Sequence, residues 1–343
     1  MTANGSATAA IEDAYPPYLG TLARQDERAA VDLVLELCTP DIDTETILLQ
    51  LVARAMVQIG RWWQSNVWTV AQEHGASHIT GRVVAALAAT AGSPVPDRRV
   101  VVACIERELH AMPALLLAET LRLRGWNCIF LGADVPTPHL VTFLRRIRPV
   151  AVALSCSLPM RLPGAHRAIA ACRRIGVPVI AGGRAFGPDG RWAARLGVAW
   201  AANGAAAVTL LGRPQPSADI ISRRVGDEYL ALTSRRGELV HETLRRLRAA
   251  YPELTAEGHP LDMTVTDLGY IVDHLAAAAY IGDAALFTDF TGWLADVLGS
   301  RGVPAGSVEL ALTELARLLH DRPRSRRCLE AGYTTFRVAS ILS

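Results

Sequence analysis

Residues 99–118, RVVVACIERELHAMPALLLA, encode a strand, a turn and the start of a helix. The apolar run Arg99–Ala103 predicts a buried strand, and the apolar residues from Ala114 onward predict a helix. Pro113 suits the first turn of that helix, where a backbone N–H has no partner anyway. In α/β domains such a turn lies at the carboxyl edge of the sheet, which is where these folds bind ligands.

This turn carries a histidine, His110, with a carboxylate, Glu108, two residues before it. A carboxylate behind an imidazole fixes its tautomer and raises its basicity, which suits a metal ligand. A surface turn with incidental polar residues would have the same composition. The turn is therefore a candidate metal site whose interpretation depends on the rest of the chain.

Residues 98–212 alternate strands with helices, which predicts a Rossmann-like parallel sheet covered on both faces. The predicted strands are Arg99–Ala103, Asn127–Leu131, Val150–Leu154, Val177–Ala181 and Val198–Ala201. The strand ends bring four groups to one edge: Glu108 with His110, Gly132-Ala133-Asp134, Ser155-Cys156-Ser157, and Gly182-Gly183. Small residues at three of these four ends leave room for a large ligand.

Helical sequence flanks this α/β domain on both sides. Residues 15–93 predict a four-helix bundle, called the cap below, after a disordered tail at residues 1–14. Linkers are predicted at Gly92–Arg98 and from Gly212, because both stretches are rich in proline. Residues 219–343 predict an all-helical C-terminal domain.

Within the cap, an interruption is predicted at Gly60–Trp68. Thr69 and Gln72 then form a predicted capping box. The helix that they begin carries Glu73 and His74 in its first turns.

Composition narrows the class of protein. At 343 residues, two or three domains are expected, and half of the residues are hydrophobic. The net charge of +2 gives no indication of a nucleic-acid-binding surface. The six cysteines are scattered without a CxxC pair, which favours reduced thiols over disulfides or structural zinc. With no signal sequence and no membrane span, we expect a soluble cytoplasmic protein.

The sheet-edge residues resemble the cobalamin-binding module of methionine synthases, corrinoid carriers and related light sensors. In that family a helical cap precedes a Rossmann-like domain with the motifs Asp/Glu-x-His-x-x-Gly, Ser-x-Leu and Gly-Gly. The corresponding stretches here are Glu108-Leu109-His110-Ala111-Met112-Pro113, Ser155-Cys156-Ser157-Leu158 and Gly182-Gly183. The resemblance implies that His110 is the lower axial cobalt ligand. It also implies that the displaced dimethylbenzimidazole tail lies near Ser155, Ser157 and Gly182.

The sequence departs from this pattern at three positions. Pro113 replaces the glycine, Glu108 replaces the usual aspartate, and Ser157 stands where the family has leucine, with Leu158 one residue late. A proline at position 113 requires a turn with the φ angle that proline allows.

The cap resembles that of adenosylcobalamin-dependent photoreceptors of the bacterial carotenoid-regulator type, which carry a Trp-x9-Glu-His motif. Here the motif is Trp63 followed by Glu73-His74. The resemblance implies that these residues surround the upper adenosyl group. An indole can pack on adenine, and a carboxylate can accept hydrogen bonds from ribose. A core tryptophan with a solvent-facing Glu-His pair would give the same sequence.

The predicted cofactor-binding residues are Trp63, Glu73, His74, Glu108, Leu109, Pro113, Asp134, Ser155, Ser157, Leu158, Gly182 and Gly183, with His110 as the metal ligand. Those regulators also carry an N-terminal DNA-binding domain, whereas only a short tail precedes the cap here, so direct DNA binding is not expected. The position after the motif tryptophan, a histidine in that family, is Gln64. After light, His74, His78 or water would then be the candidate upper ligand.

A cobalamin module followed by an all-helical domain resembles the photocobilins, which add a globin-like bilin-binding domain. The resemblance implies biliverdin as a possible second chromophore. The candidate bilin-pocket residues are Tyr270, His274, Phe287, Phe290 and Trp293, with Arg245, Arg246 and Arg248 for its propionates. An ordinary helical core would also contain such aromatics. Cys328 is a formal candidate for covalent attachment, although nothing around it in the sequence indicates a reactive thiol.

Three functions remain open from the sequence. The first is a non-enzymatic light sensor, in which adenosylcobalamin photolysis changes conformation or self-association, with a dimer or higher homo-oligomer and an unknown effector as partners. The second is a corrinoid methyl carrier or mutase subunit. The cap motif opposes a methyl carrier because it fills the upper face, and no substrate barrel is present for a mutase. The third is a cobalamin-responsive regulator that does not need light.

Overall fold

The chain divides into two units, Met1–Ser157 with Gly164–Ile220, and Leu158–Pro163 with Ile221–Ser343. The structure is a computed structural model that describes residues 3–89, 95–213, 226–252 and 261–342. The linker predicted after Gly212 falls largely outside the described residues.

The first unit begins with the helical cap. Its elements are α1 (Ala3–Ala23), α2 (Glu27–Glu36), α3 (Thr44–Thr46), a π-helical stretch (Ile47–Val52), α4 (Ala53–Gln64) and α5 (Val70–Ala88). One apolar core joins them, with Leu22, Leu51 and Val83 among its fully buried members. The predicted capping box is present at the start of α5, where Thr69 and Gln72 exchange hydrogen bonds.

Three expectations about the cap and its borders are wrong. Residues 3–14 belong to α1 and are not a disordered tail, because Ala7 and Ile11 are buried in the cap core. The break predicted from Gly60 begins only at Ser65, since a helix tolerates one glycine at a cost of about 1 kcal/mol. The linker predicted up to Arg98 is strand from Val95 onward.

A parallel sheet with the strand order β2-β1-β3-β4-β5 follows the cap. Its strands are β1 (Val95–Cys104), β2 (Trp126–Phe130), β3 (Ala151–Ser155), β4 (Val179–Gly182) and β5 (Ala199–Ala201). Its helices are α6 (Met112–Leu123), α7 (Thr137–Ile147), α8 (Leu162–Arg174), α9 (Arg191–Arg195) and α10 (Gly204–Leu211). The predicted Rossmann-like class is confirmed. The strand order reverses between β1 and β3, which marks the expected ligand-binding edge.

Helix α6 is apolar around most of its surface because it packs against two cores. Ala114, Ala118 and Leu121 pack against the sheet, whereas Leu115 and Leu116 pack against the cap core. The cap and the sheet therefore share one helix, and the Glu108-His110 turn lies immediately before it.

The second unit is helical in its described residues. It contains α11 (Asp227–Ser234), α12 (Arg236–Ala250), α13 (Leu261–Ile281), α14 (Ala285–Gly299), α15 (Ala305–Leu318) and α16 (Pro323–Leu342). The short 3-10 turn Pro159–Arg161, which follows β3 in the chain, packs against α13 and so belongs to this unit. Across the described residues, no helix is long and apolar enough to cross a membrane.

Candidate functional site at the carboxyl edge of the sheet

The predicted pair Glu108 and His110 is joined in the turn between β1 and α6. One carboxylate oxygen of Glu108 accepts hydrogen bonds from His110 Nδ1 at 2.6 Å and from the His110 backbone N–H at 2.9 Å. The other oxygen accepts from the backbone N–H of Ser157, after β3, at 2.5 Å. Glu108 is fully buried, whereas the His110 side chain is 57% exposed. The carboxylate is thus fixed in the protein, and the imidazole is held by one edge only.

The ionisation of this pair follows from its contacts. Burial raises the pKa of the Glu108 carboxyl, but the hydrogen bonds from His110 and Ser157 outweigh burial, so the net pKa is lowered. The hydrogen bond to Glu108 raises the pKa of His110 against the opposing effect of its own burial. An ionised Glu108 carboxylate can only accept a hydrogen bond, so Nδ1 of His110 must carry the proton. The other ring nitrogen, Nε2, then presents the lone pair that a metal needs.

Ser157 acts through its backbone, which the sequence did not indicate. The same edge brings β3 and β4 close together: the Cys156 N–H donates to the Gly182 carbonyl at 3.0 Å. Gly183 has φ near 101°, and a Cβ there would collide with the Cys156 carbonyl. Glycine is required at position 183 for this close approach.

Asp134 lies beside the turn, but its carboxylate serves the loop. Its Oδ1 accepts the backbone N–H of Arg107 at 2.6 Å, and its own N–H donates to the Glu108 carbonyl at 2.9 Å. Arg107 and Asp134 both have left-handed backbones, with φ of 66° and 50°. Sequence reasoning identified Asp134 as a cofactor contact and did not identify Arg107.

The remaining predicted residues of the edge surround this pair. Leu109, between Glu108 and His110, is 73% exposed. Pro113 stands in the first turn of α6, where its missing N–H costs nothing. Ser155 ends β3 and is buried. Leu158 begins the segment that belongs to the second unit.

In the cap, Glu73 and His74 form a pair at the start of α5. Glu73 accepts from Ser77 Oγ at 2.8 Å with one oxygen and contacts His74 Nδ1 at 2.5 Å with the other. The carboxylate is largely covered, whereas the His74 ring is exposed. Trp63 lies in the last turn of α4, just before the Ser65–Trp68 connection to α5.

The cap pair lies within electrostatic range of the sheet-edge pair. The negative charge of Glu73 contributes to the raised pKa of His110, although the two residues are on different elements. Glu73 is therefore close enough to His110 for their charges to interact. That the cap residues lie over the upper face of a ligand at His110 stays a prediction.

The second unit brings together most of the predicted aromatic residues. The rings of His274 and Phe290 are stacked, with centroids 3.7 Å apart and planes 9° apart. Phe287 and Trp293 each lie with centroids 6.1 Å from Phe290. Tyr270 contributes its carbonyl, which accepts from His274 Nδ1 at 2.8 Å, while its side chain is 39% exposed.

The charged groups near His274 differ from the predicted ones. Arg161 contributes to lowering the pKa of His274, and its buried Nε has no hydrogen-bond partner in the described part of the chain. Arg245 is paired with Glu242 on its own helix at 3.0 Å. Burial raises the pKa of Cys328 to about 11, which argues against a reactive thiol.

The donor set of the first unit fits a cobalt ion that brings a macrocycle with it. Among the described residues, no three or more His, Cys, Asp or Glu side chains gather as a metal cage. One half-exposed imidazole backed by a buried carboxylate suits a metal whose other ligands come from a corrin ring. A Cβ placed on Gly132 would meet nothing within 4 Å, so open space remains at this edge.

Comparison with known proteins identifies both parts of the first unit. The family described as B12 binding domain matches residues 98–212, and a second family with the same description matches residues 18–88. The HTH-type transcriptional repressor CarH of Myxococcus xanthus is 36% identical over 108 residues, which are 31% of this chain and 35% of that protein. The similarity thus spans about a third of the curated relative.

The monomethylamine corrinoid protein of Methanosarcina barkeri superposes with a TM-score of 0.50 at 16% identity. The match covers 59% of this chain and 98% of that protein, and at this identity it shows a shared fold alone. Taken together, the chain contains a cobalamin-binding module in the first unit, similar to part of CarH.

Proposed function

We propose that this protein is a light sensor that binds adenosylcobalamin between His110 and the cap, and signals by a change of conformation or self-association. The partial similarity to a transcriptional regulator favours signalling over catalysis. The downstream partner would be another protein or a second copy of this chain.

The observation that carries the proposal is the half-exposed His110 imidazole held on the buried Glu108 carboxylate, with Glu73 of the cap within range of its charge. A ligand held by His110 Nε2 would have the cap residues Glu73 and His74 on its other side. A methyl carrier must leave that side open to a substrate protein, so cap residues that occupy the upper face would favour a sensor.

Each residue of the module has a defined task in this proposal. Adenosylcobalamin supplies a cobalt–carbon bond that light breaks. Glu108 keeps His110 Nδ1 protonated, so that Nε2 remains the metal-facing nitrogen. Trp63 would pack against the adenosyl group and Glu73 would accept from its ribose, so that α4 and α5 would both contact the group and would lose this shared contact without it.

The test compares darkness and green light. Protein loaded with adenosylcobalamin in the dark should change its absorption spectrum and its elution volume on illumination, and Trp63→Ala should lose the change in elution volume while still binding cobalamin. Val57→Ala is the matched control, because Val57 is exposed on α4, the helix that carries Trp63, and is not one of the predicted cofactor residues. An elution volume that does not change on illumination would favour a light-independent regulator. Tighter binding of methylcobalamin than of the adenosyl form would favour a methyl carrier.

The stacked His274–Phe290 pair favours a second chromophore in the second unit. We propose that biliverdin binds there, since an extended tetrapyrrole needs aromatic surface and a cation for its propionates, which Arg161 could supply. Titration of the full chain with biliverdin should give a red-absorbing complex that Phe290→Ala weakens. His320→Gln, at an exposed histidine, should leave it intact. No uptake by the wild-type protein would remove biliverdin from the proposal and leave the cobalamin half standing.

A further inference from the structure

The loop that carries His110 has a backbone that its own sequence disfavours. Arg107 has φ near 66°, a left-handed conformation in which a long side chain is unfavourable. Glycine is the usual residue at such a position, because it lacks the Cβ that clashes there. An arginine persists in this conformation only if its surroundings hold the chain in place.

Asp134, from the loop after β2, supplies that hold. Its carboxylate accepts the N–H of Arg107, and its own N–H donates to the carbonyl of Glu108. The two hydrogen bonds run in opposite directions and bracket the peptide that joins Arg107 to Glu108. Asp134 is itself left-handed, a conformation that aspartate and asparagine tolerate better than most residues.

We propose that Asp134 is a positioning residue that sets the ligating orientation of His110 without contacting the cofactor. The proposal deepens the proposed cobalamin binding and rests on it. The path from Asp134 to the imidazole is short: Asp134 fixes the main chain of Glu108, and the Glu108 carboxylate fixes His110 Nδ1. Loss of the Asp134 carboxylate frees the Arg107 N–H, although the Asp134 N–H still binds the Glu108 carbonyl. The disfavoured left-handed backbone of Arg107 can then relax, which moves Glu108, so His110 Nε2 is no longer aimed in one direction.

Three substitutions separate the side-chain acceptor from the backbone conformation. Asp134→Asn keeps an oxygen acceptor and tolerates the left-handed backbone, but removes the charge. Asp134→Gly keeps the backbone freedom and removes the acceptor. Asp134→Ala removes both. Asp26→Gly is the matched control, because Asp26 is also exposed and accepts a backbone N–H, from Ala29 at 3.0 Å in the cap.

Two measurements follow each variant. Hydrogen exchange at the Arg107 amide reports on the loop in cofactor-free protein. Electron paramagnetic resonance of cob(II)alamin-loaded protein with 15N-labelled histidine reports the nitrogen that binds cobalt from below. We expect Asp134→Gly to expose the Arg107 amide, to lower the fraction of histidine-ligated cobalt and to weaken cobalamin binding roughly 10- to 100-fold. Asp134→Asn should stay close to wild type in all three, and Asp26→Gly should change none of them.

The outcomes are distinguishable from those of the proposed function. If wild type does not bind cobalamin, the proposed function fails. An Arg107 amide that is protected in wild type and exposed in Asp134→Gly would still support the proposal that Asp134 holds the loop. Unchanged Arg107 exchange in Asp134→Gly would overturn the proposal. A loss in Asp134→Asn as large as that in Asp134→Gly would overturn it too, because a direct charge contact with the cofactor would then be the simpler account. Lower thermal stability with unchanged histidine ligation would likewise contradict a positioning role.

Discussion

Two titratable residues of α13, His274 and Asp267, affect stability with opposite dependence on pH. His274 is buried, and burial lowers its pKa from 6.5 to about 4. Burial raises the pKa of Asp267 from 3.8 to about 6, against the opposing charge of Arg301. Both groups change protonation between pH 4 and 6.5, so the wild-type protein shows only the difference between them.

For His274, the unfolded chain binds the proton more tightly than the folded one. Between pH 6.5 and 4 the unfolded state is therefore favoured as the pH falls, by about 3 kcal/mol over the full window. We expect His274→Gln to remove this acid-induced loss in denaturant titrations at pH 4.5 and 7. His320→Gln, at an exposed site, should retain it. An identical loss in His274→Gln and wild type would contradict the assignment.

For Asp267 the sign is reversed, because the folded state binds the proton more tightly. Its contribution to stability grows as the pH falls from 6 to 3.8. Asp267→Asn should therefore make the protein lose stability more steeply on acidification than wild type does, in the same denaturant titrations. A shallower loss would show that the carboxyl is charged in the folded protein at these pH values.

Only part of the candidate site could be predicted from the sequence. The Glu108–His110 pair was predictable, because carboxylate and imidazole are two residues apart in one turn. The contribution of Ser157 was not, since its backbone N–H meets Glu108 across 49 positions of the chain. Asp134 was predicted as a cofactor contact, and the hydrogen bond from the Arg107 N–H to its carboxylate was not predicted, because a left-handed residue such as Arg107 has no sequence signature unless it is glycine.

The capping box at the start of α5 links the stability of this helix to the position of Glu73 in its first turn. The Thr69 hydroxyl accepts the N–H of Gln72, and the Gln72 side chain accepts the N–H of Thr69. Thr69→Ala should lower the free energy of unfolding by about 1 kcal/mol, as loss of an N-cap usually does. It should also weaken adenosylcobalamin binding more than methylcobalamin binding, because the first turn of α5 carries Glu73.

The matched control for Thr69→Ala is Asn203→Ala, which removes the N-cap of α10. That helix packs on the sheet and carries none of the cofactor-binding residues predicted in the helical cap. We expect a similar loss of stability in urea titrations but no change in the preference between the two cobalamins. An equal change of preference in both variants would mean that the effect is general destabilisation.

Element boundaries show where local patterns were sufficient. The capping box of α5 and the five strands followed from short-range signals, namely paired cap residues and apolar runs. The helix over residues 3–14 did not, because its small residues form a helix only by packing on the cap core. The continuation of α4 through Trp63 was missed for a related reason: Gly60 permits a break but does not require one.

At the scale of the whole molecule, the segment Leu158–Pro163 lies within the cobalamin-binding sequence but belongs structurally to the second unit. Met160 of this segment is buried, and its 3-10 turn packs against α13. Met160→Ala should destabilise the second unit by about 2 to 5 kcal/mol. Hydrogen exchange followed by mass spectrometry should show that Met160→Ala speeds up exchange in α13, relative to wild type, more than it does in the sheet.

Leu154→Ala, three residues after the start of β3 at Ala151, provides the comparison. Leu154 is buried in the first unit, so its truncation should raise exchange in β1 and β3 and leave α13 unchanged. If Met160→Ala produced the pattern expected for Leu154→Ala, the segment would have to be assigned to the first unit.

The cysteines of the chain, Cys328 among them, include four whose burial allows the opening of each unit to be followed. Cys104, Cys128 and Cys172 in the first unit have pKa values raised to about 12 by burial, and Cys328 in the second unit is also buried. Such thiols are alkylated only while the surrounding structure is open. A brief pulse of iodoacetamide followed by peptide mass mapping would therefore time the opening of each unit separately, in darkness and in light, without any introduced label.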